Sequence, residues 1–288
     1  MKPWYRWFFT AAGLSLLPSA LAGAAPLTVR DDRGVEVVLA APARRIVTLA
    51  PNLAELAYAA GAGERLVGVS TASDYPPQVK DLPQLGYGRF DMERLVQLKP
   101  DLVLAWESGN SALEVALLAR LGIPLYVAEA RRPEDIPRHI EAIGRLAGSA
   151  APAQRSAMEF RRTLAELTAR YAHASPLTVF LEIWHQPLMT VTDRHLIGGM
   201  VRLCGGTNPF GSLAPLLPTL ALESVLAADP QVIVTSLPSN APWQRYPAMQ
   251  AVRSGNVKTI NPDYLQRATP RTLEGVRQLC ELLDEARR

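Results

Sequence analysis

A chain of 288 residues that is 48% apolar and 20% charged, with a formal net charge of +3, has enough material for one large or two ordinary hydrophobic cores. That composition excludes a disordered or fibrous chain. No basic stripe interleaved with aromatic residues is present, which argues against a nucleic-acid partner.

At the N-terminus Lys2 and Arg6 precede an apolar run from Trp7 to Leu17, which Pro18 breaks ahead of the small residues Ala20, Ala22 and Ala24. This is the pattern of a secretory signal over residues 1–25, cut after Ala22 or Ala25. A membrane anchor would need about 20 apolar residues. No later stretch is long and apolar enough to span a bilayer, so the mature protein is expected to be exported and soluble. Losing Lys2 and Arg6 with the signal leaves 28 basic residues facing 27 acidic ones.

Residues 26–150 read as a βα lobe. Leu27 to Leu39 alternates apolar and polar residues around Asp32-Arg33-Gly34, predicting a hairpin. Arg45 to Leu49 is a buried strand, Pro51-Asn52 a turn, and Leu53 to Ala60 a helix closed by Gly61; Leu66 to Val69 is a second strand, followed by the loop Ser73-Asp74-Tyr75-Pro76-Pro77. Asp91 then caps a short helix with Met92, Leu95, Val96 and Leu98 on one face, and Lys99-Pro100-Asp101 stops it. Leu102 to Ala105 is an uninterrupted apolar run, as expected of a parallel strand covered on both faces, and Trp106 stands at its end. A helix (112–121), a strand (125–128) and a helix (133–147) complete the lobe.

Residues 151–174 change character. Ala153, Met158, Leu164, Leu167 and Tyr171 recur at helical spacing with no internal Gly and no break, predicting one long helix. At 1.5 Å per residue such a helix spans about 30 Å, the width of a small domain, and so links two lobes.

Residues 175–288 repeat the first plan. After a strand (178–183), a helix (198–203) and the loop Gly205-Gly206-Thr207-Asn208, the stretch LALESVLAADPQVIVT restates the helix, proline stop and buried strand. Pro230 lies 130 residues after Pro100, and Glu223 lies 130 after Glu93. A repeat this long is not a solenoid unit. The predicted fold is therefore α/β, two Rossmann-like lobes joined by a single long rigid helix, with ligand expected in the crevice beyond the carboxyl ends of the strands. Val257 to Ile260 is a last strand, Asn261 to Arg267 a loop, and Pro270 to Glu285 the closing helix.

The two cysteines, Cys204 and Cys280, are an even pair in a chain bound for an oxidising compartment and are expected to form a disulfide; no CxxC spacing supports a metal or catalytic thiol. Of the four histidines, His139 and His173 fall on predicted helices and read as surface residues. His185 and His195 flank the expected crevice, where either is a candidate metal-complex ligand. No HExxH or other metal-ligand spacing, no GxSxG elbow and no phosphate-cradling loop is present, so the residues assign no catalytic group and no protein-bound metal. A bare-metal receptor or a metalloenzyme is the rival reading.

Five motifs in order, Ser73-Asp74-Tyr75-Pro76-Pro77, Met92-Glu93-Arg94-Leu95, Leu98 to Val103, Cys204-Gly205-Gly206 and Arg267 to Arg271, resemble the periplasmic substrate-binding proteins of ABC importers for corrinoids, haem and ferric siderophores. Within that family the vitamin B12-binding branch is the best match. The resemblance covers nearly the whole mature chain. It implies a periplasmic monomer, without a cofactor of its own, that captures cobalamin or a related corrinoid, or alternatively haem or a ferric siderophore, and delivers it to an inner-membrane permease. It places Tyr75, Tyr87, Trp106, Asp263 and Arg267 at the ligand cleft. Trp184, also at a strand end, joins them, with Trp243 and Tyr264 as further aromatic candidates. It assigns Glu93 and Glu223, one per lobe, to docking on arginines of the two permease subunits. Two departures stand out: Leu217 and Tyr87 occupy positions where the family carries tryptophan. Trp184 or Met189 is placed to supply the missing contact.

Overall fold

The computed structural model describes residues 25–288; the expected leader, apart from its last residue, lies outside them. The chain opens with the antiparallel hairpin β1 (Leu27–Arg30) and β2 (Glu36–Leu39). Asp31 holds its turn, accepting from the Arg33 and Val35 amides at 3.0 Å each. Next come β3 (Ile46–Thr48), α1 (Pro51–Ala59), β4 (Leu66–Val69), the two-residue strands β5 (Gly86–Tyr87) and β6 (Arg89–Phe90), α2 (Met92–Gln97), β7 (Leu102–Trp106), α3 (Ala112–Arg120), β8 (Leu125–Ala128) and α4 (Asp135–Ala147). Strands β4-β3-β7-β8 form one parallel sheet in that order.

The long helix α5 (Ala150–Tyr171) follows. The second lobe then runs β9 (Leu177–Glu182), α6 (Leu196–Leu203), β10 (Gly206–Thr207), α7 (Leu222–Ala228), β11 (Val232–Thr235), α8 (Gln250–Arg253), β12 (Val257–Thr259), α9 (Pro262–Gln266) and α10 (Thr272–Arg287). Its parallel sheet has the order β10-β9-β11-β12, the same plan as the first.

The repeat seen in the sequence is equally visible in the backbone. Lys99 (φ 48°) and Asp229 (φ 38°), again 130 apart, are the only non-glycine residues with positive φ among the described residues. Each follows the helix and precedes a proline, which bars it from continuing right-handed; the left-handed turn caps the helix and aims the next strand. Just beyond each proline, a side chain pins the neighbouring strand. Asp101 accepts from the Arg44 and Arg45 amides at 2.8 Å, and Gln231 accepts from the Thr178 amide at 2.9 Å.

Helix α5 is shared by two cores. Ala153, Phe160 and Leu164 bury into the first lobe's cluster, and Leu167 and Tyr171 into the second's. Its start packs closely on α4, where a Cβ at Gly144 would lie 2.2 Å from that of Ala153. Leu203, Ala268 and Leu273 pack against both clusters, so apolar contact is continuous from lobe to lobe. Cys204 and Cys280 form a disulfide between the end of α6 and α10, 76 residues apart. In the loop-entropy account, a closure of that length stabilises the fold by about 4–5 kcal/mol.

Four expectations change. The loop expected at Gly205 to Asn208 contains the strand β10, which pairs with β9. Pro51-Asn52 is not a turn but the start of α1, because proline suits a first helical position whose N–H needs no partner. Asn261 to Arg267 contains the short helix α9, with Pro262 in that same position and Asn261 Oδ1 accepting from the Asp263 amide. His139 is not on the surface: it is 1% exposed, its Nδ1 is 2.8 Å from the Tyr126 hydroxyl, and its Nε2 is 3.3 Å from Asp32.

Burial lowers the His139 pKa to about 4, although the Asp32 charge works the other way. A histidine in the unfolded chain titrates near 6.5. As pH falls from about 6.5 towards 4, the unfolded chain therefore takes up a proton that the folded chain does not, and stability declines across that window. Urea melts should show a constant midpoint above about pH 7 and a falling one below about 6.5, with a shallower fall in His139→Gln; an unchanged slope in the variant would exclude His139 as its source.

Candidate functional site

The carboxyl ends of both sheets face a cavity of about 470 Å³ between the lobes. From the first lobe come Trp106, at the end of β7, with Ser108 and Glu129, which follows β8. The second lobe brings Ile183 and Trp184, just past β9, with Met189, His195, Ile197, Leu216, Leu217 and Gln266. Two flat aromatic side chains, an aliphatic bed and a few polar groups suit a broad, largely apolar ligand with a polar edge.

Each tryptophan is held by its loop. The Trp106 amide donates to Asn110 Oδ1 at 2.7 Å, and Asn110 Nδ2 donates to the Leu49 carbonyl, stitching the strand end to the neighbouring strand's loop. Its ring lies over Gly109, where a Cβ would stand 1.9 Å from the indole. Any larger residue there would push the ring off its seat. Trp184 is 56% exposed, and its Nε1–H donates to the Gln186 carbonyl within a tight loop closed by the Ile183–Met189 and Met189–Trp184 backbone bonds. The loop sets Met189 and Trp184 beside Leu217, so both residues read as compensating for the missing tryptophan line the cavity with it.

His195 caps α6, Nδ1 accepting from the Ile197 amide, and burial lowers its pKa to about 4. With Nδ1 so committed in a neutral ring, the proton sits on Nε2. The imidazole therefore presents a hydrogen-bond donor and not a free lone pair. His185 is turned away to Glu182, its Nδ1 2.7 Å from Oε1, and the other Glu182 oxygen accepts from Trp243 Nε1. Trp243 itself is 1% exposed and belongs to the core, not the cleft.

Arg267 and Asp263 form a pair at 3.0 Å, and Arg267 reaches across to Asp74 at 2.5 Å and Glu55 at 3.4 Å on the first lobe. Arg271 grips Glu55 with two bonds, 2.8 and 2.5 Å, and its guanidinium stacks on Tyr75, 4.2 Å from the ring centre, with Tyr264 at 5.5 Å on the other lobe. Glu55, in the middle of α1, is buried. Burial alone would raise the Asp74 pKa, but the bond from Arg267 and the charges of both arginines hold it below the ordinary carboxylate range. The result is an ionic bridge joining the lobes beside the cavity, with Gln266 between bridge and cavity. Tyr75 thus belongs to the bridge, and Tyr87 stands exposed on β5; neither is among the cavity-lining residues.

Glu93 and Glu223 are exposed in the first turns of α2 and α7, in equivalent places on the two lobes. Glu55, Glu129, Gln266 and Arg271 are among the contributors not predicted. Glu55 had a signal, a lone acid within the apolar run Leu53 to Ala60. Glu129 had one too, since it follows an apolar strand as Trp106 does.

The periplasmic binding protein family matches residues 46–264. The chain belongs to that family. It is 37% identical over 252 residues to the vitamin B12-binding protein of Vibrio cholerae, spanning 86% of this chain and 91% of that one. The vitamin B12-binding protein of Pectobacterium atrosepticum is 35% identical over 248 residues, 84% and 89% of the two chains. The solved structure of the Vibrio cholerae periplasmic vitamin B12-binding protein superposes with a TM-score of 0.82 at 37% identity, covering 86% of this chain and 99% of that one. A haem-binding protein of Roseiflexus shares the fold at a TM-score of 0.76 and 23% identity, covering 85% and 99%. The two-lobed fold and the single linking helix expected of this periplasmic binding protein are the observed ones.

The ionic bridge generates a stability prediction. Glu55→Ala leaves the partly buried Arg271 without its carboxylate, while Arg267 keeps Asp74 and Asp263, and should cost about 2–3 kcal/mol in urea unfolding. Asp74→Ala removes a half-exposed partner and should cost under about 1 kcal/mol. Equal losses would show that Glu55 is not the centre of the bridge.

Proposed function

We propose that the protein is the periplasmic substrate-binding component of an ABC importer and carries cobalamin or a close corrinoid. The observation that carries this reading is the inter-lobe cavity, with Trp106 and Trp184 facing it from opposite strand ends, in a chain 37% identical to a vitamin B12-binding protein. A corrin has a broad apolar face for the indoles and an amide-bearing rim for Glu129, Gln266 and His195. The lobes of residues 26–150 and 175–288 hold the ligand between them, joined by the linking helix at 151–174, and the protein works by binding and release, with no chemistry of its own. Asp263, Arg267, Tyr75 and Tyr87 act at the cleft's margin: the arginine is already paired, so a ligand that approaches it exchanges one partner for another.

Glu93 and Glu223 dock on the permease. A pseudo-symmetric carrier offers one carboxylate per lobe to a two-fold partner, and both are exposed and free of salt bridges among the described residues. The leader sends the chain to the periplasm, where it acts as a monomer.

Calorimetric titration of the mature, oxidised protein with cyanocobalamin should give a one-to-one isotherm with a sub-micromolar dissociation constant. Trp106→Ala and Trp184→Ala should each weaken it about 10-fold, the worth of one aromatic stacking contact. No heat with cyanocobalamin, and heat with haemin or a ferric siderophore, would overturn the corrinoid assignment. The double variant Glu93→Ala/Glu223→Ala should keep full ligand affinity and lose stimulation of the permease's ATP hydrolysis; reduced ligand affinity would remove both residues from the docking role.

A further inference from the structure

We propose that Glu129 sets the charge selectivity of the cleft, admitting a metal complex whose rim carries carboxamides and refusing the same ring when its rim carries carboxylates. This rests on the corrinoid reading above and names the property by which the site would choose among corrinoids.

Among the described residues Glu129 is the only acidic one lining the cavity, and no lysine or arginine lines it. Its Oε2 accepts from the Ser108 amide at 2.9 Å. Among the described residues, Oε1 has no hydrogen bond and the carboxylate no salt bridge. The nearby cations are committed elsewhere. Arg267 and Arg271 are shared among Glu55, Asp74 and Asp263, three carboxylates for two guanidinium groups. Arg194, next to His195, turns its guanidinium to the Leu213 and Ala214 carbonyls. Glu107, exposed between Trp106 and Ser108, adds a further negative charge at the first lobe's lip. Among the described residues the cavity lining itself therefore carries one negative charge and no positive one.

The hydrogen-bonding inventory agrees. Gln266 Nε2 gives one of its two N–H groups to the Ser236 hydroxyl at 2.8 Å, and its carbonyl oxygen is an acceptor. With Glu129 Oε1 the cavity offers two acceptors, His195 Nε2–H and the second Gln266 N–H are donors, and the Ser108 hydroxyl serves either way. A carboxamide rim supplies N–H donors to the acceptors and C=O groups to the donors. A carboxylate rim supplies acceptors only, and the carboxylate on the edge nearest Glu129 meets a like charge in a partly desolvated space, where the two repel.

The test uses the protein produced with its leader and recovered after export, and two ligands that share one ring: dicyanocobinamide, amidated at the rim, and dicyanocobyrinate, carboxylated there. Cyanocobalamin is titrated in parallel. Wild type should bind cyanocobalamin and cobinamide and bind cobyrinate at least about 100-fold more weakly. Glu129→Gln keeps the size and the acceptor and removes the charge. It should shift the cobyrinate-to-cobinamide affinity ratio by about 10-fold or more in favour of cobyrinate. Glu107→Gln, outside the cavity lining, should move the ratio far less than Glu129→Gln does. Raising salt should narrow the wild-type ratio and do so less in Glu129→Gln, a readout that does not depend on how the variant folds. If cyanocobalamin binds but the ratio is the same in wild type and Glu129→Gln, the selectivity role is overturned and the corrinoid reading stands. If neither cyanocobalamin nor cobinamide binds wild type, the corrinoid reading itself fails.

Discussion

One helix is buried in two cores at once. Ala153, Phe160 and Leu164 of α5 belong to the first lobe's interior, Leu167 and Tyr171 to the second's, so neither lobe can move far without exposing apolar surface. An unstructured linker would let the lobes part freely. Here the cost of parting rises with every side chain withdrawn, at about 25 cal/mol per Å² of apolar area. The disulfide between α6 and α10 stiffens the second lobe, and Leu203, Ala268 and Leu273 carry apolar contact from one interior to the other. The cleft between the strand ends is thus held near one width.

The ionic bridge acts on the same boundary by a different force. Glu55 accepts from Arg271 and Arg267, and Tyr75 and Tyr264 flank the Arg271 guanidinium from opposite lobes. Paired charges out of water are worth little compared with an apolar substitute, but they are specific in direction. Their contribution is to register the two lobes, leaving the apolar cavity beside them to hold the ligand. The backbones of the two lobes set Trp106 and Trp184 at the lining of one cavity.

The pseudo-symmetry reaches down to single torsions. Lys99 and Asp229 share the same left-handed turn ahead of proline, and Asp101 and Gln231 brace the same neighbouring strand with different chemistry, a carboxylate in one lobe and an amide in the other. That Glu93 and Glu223 stand at matching places is a consequence of this geometry. The cavity breaks the symmetry, since Glu129 comes from the first lobe alone and Met189, His195 and Leu217 from the second alone.

What the sequence determined by itself was whatever depends on neighbours along the chain. The apolar runs at Leu102 to Ala105 and Val232 to Val234, the proline stops and the uninterrupted helical spacing of Ala153 to Tyr171 are local signals, and the strands and linking helix follow from them. Asn261 and Pro51 were misread because a cap and a first helical turn differ from a loop only in where the next amides point. Contacts between residues far apart were decided by the tertiary structure alone. Nothing near Glu55 in the chain announces Arg267 and Arg271, more than two hundred residues on, and nothing near His139 announces Tyr126 and Asp32. Tyr75 illustrates the difference: its loop and its exposure were legible, but whether its face meets a ligand or an arginine depends on the other lobe, because an aromatic ring's partner is set by what folding brings opposite it.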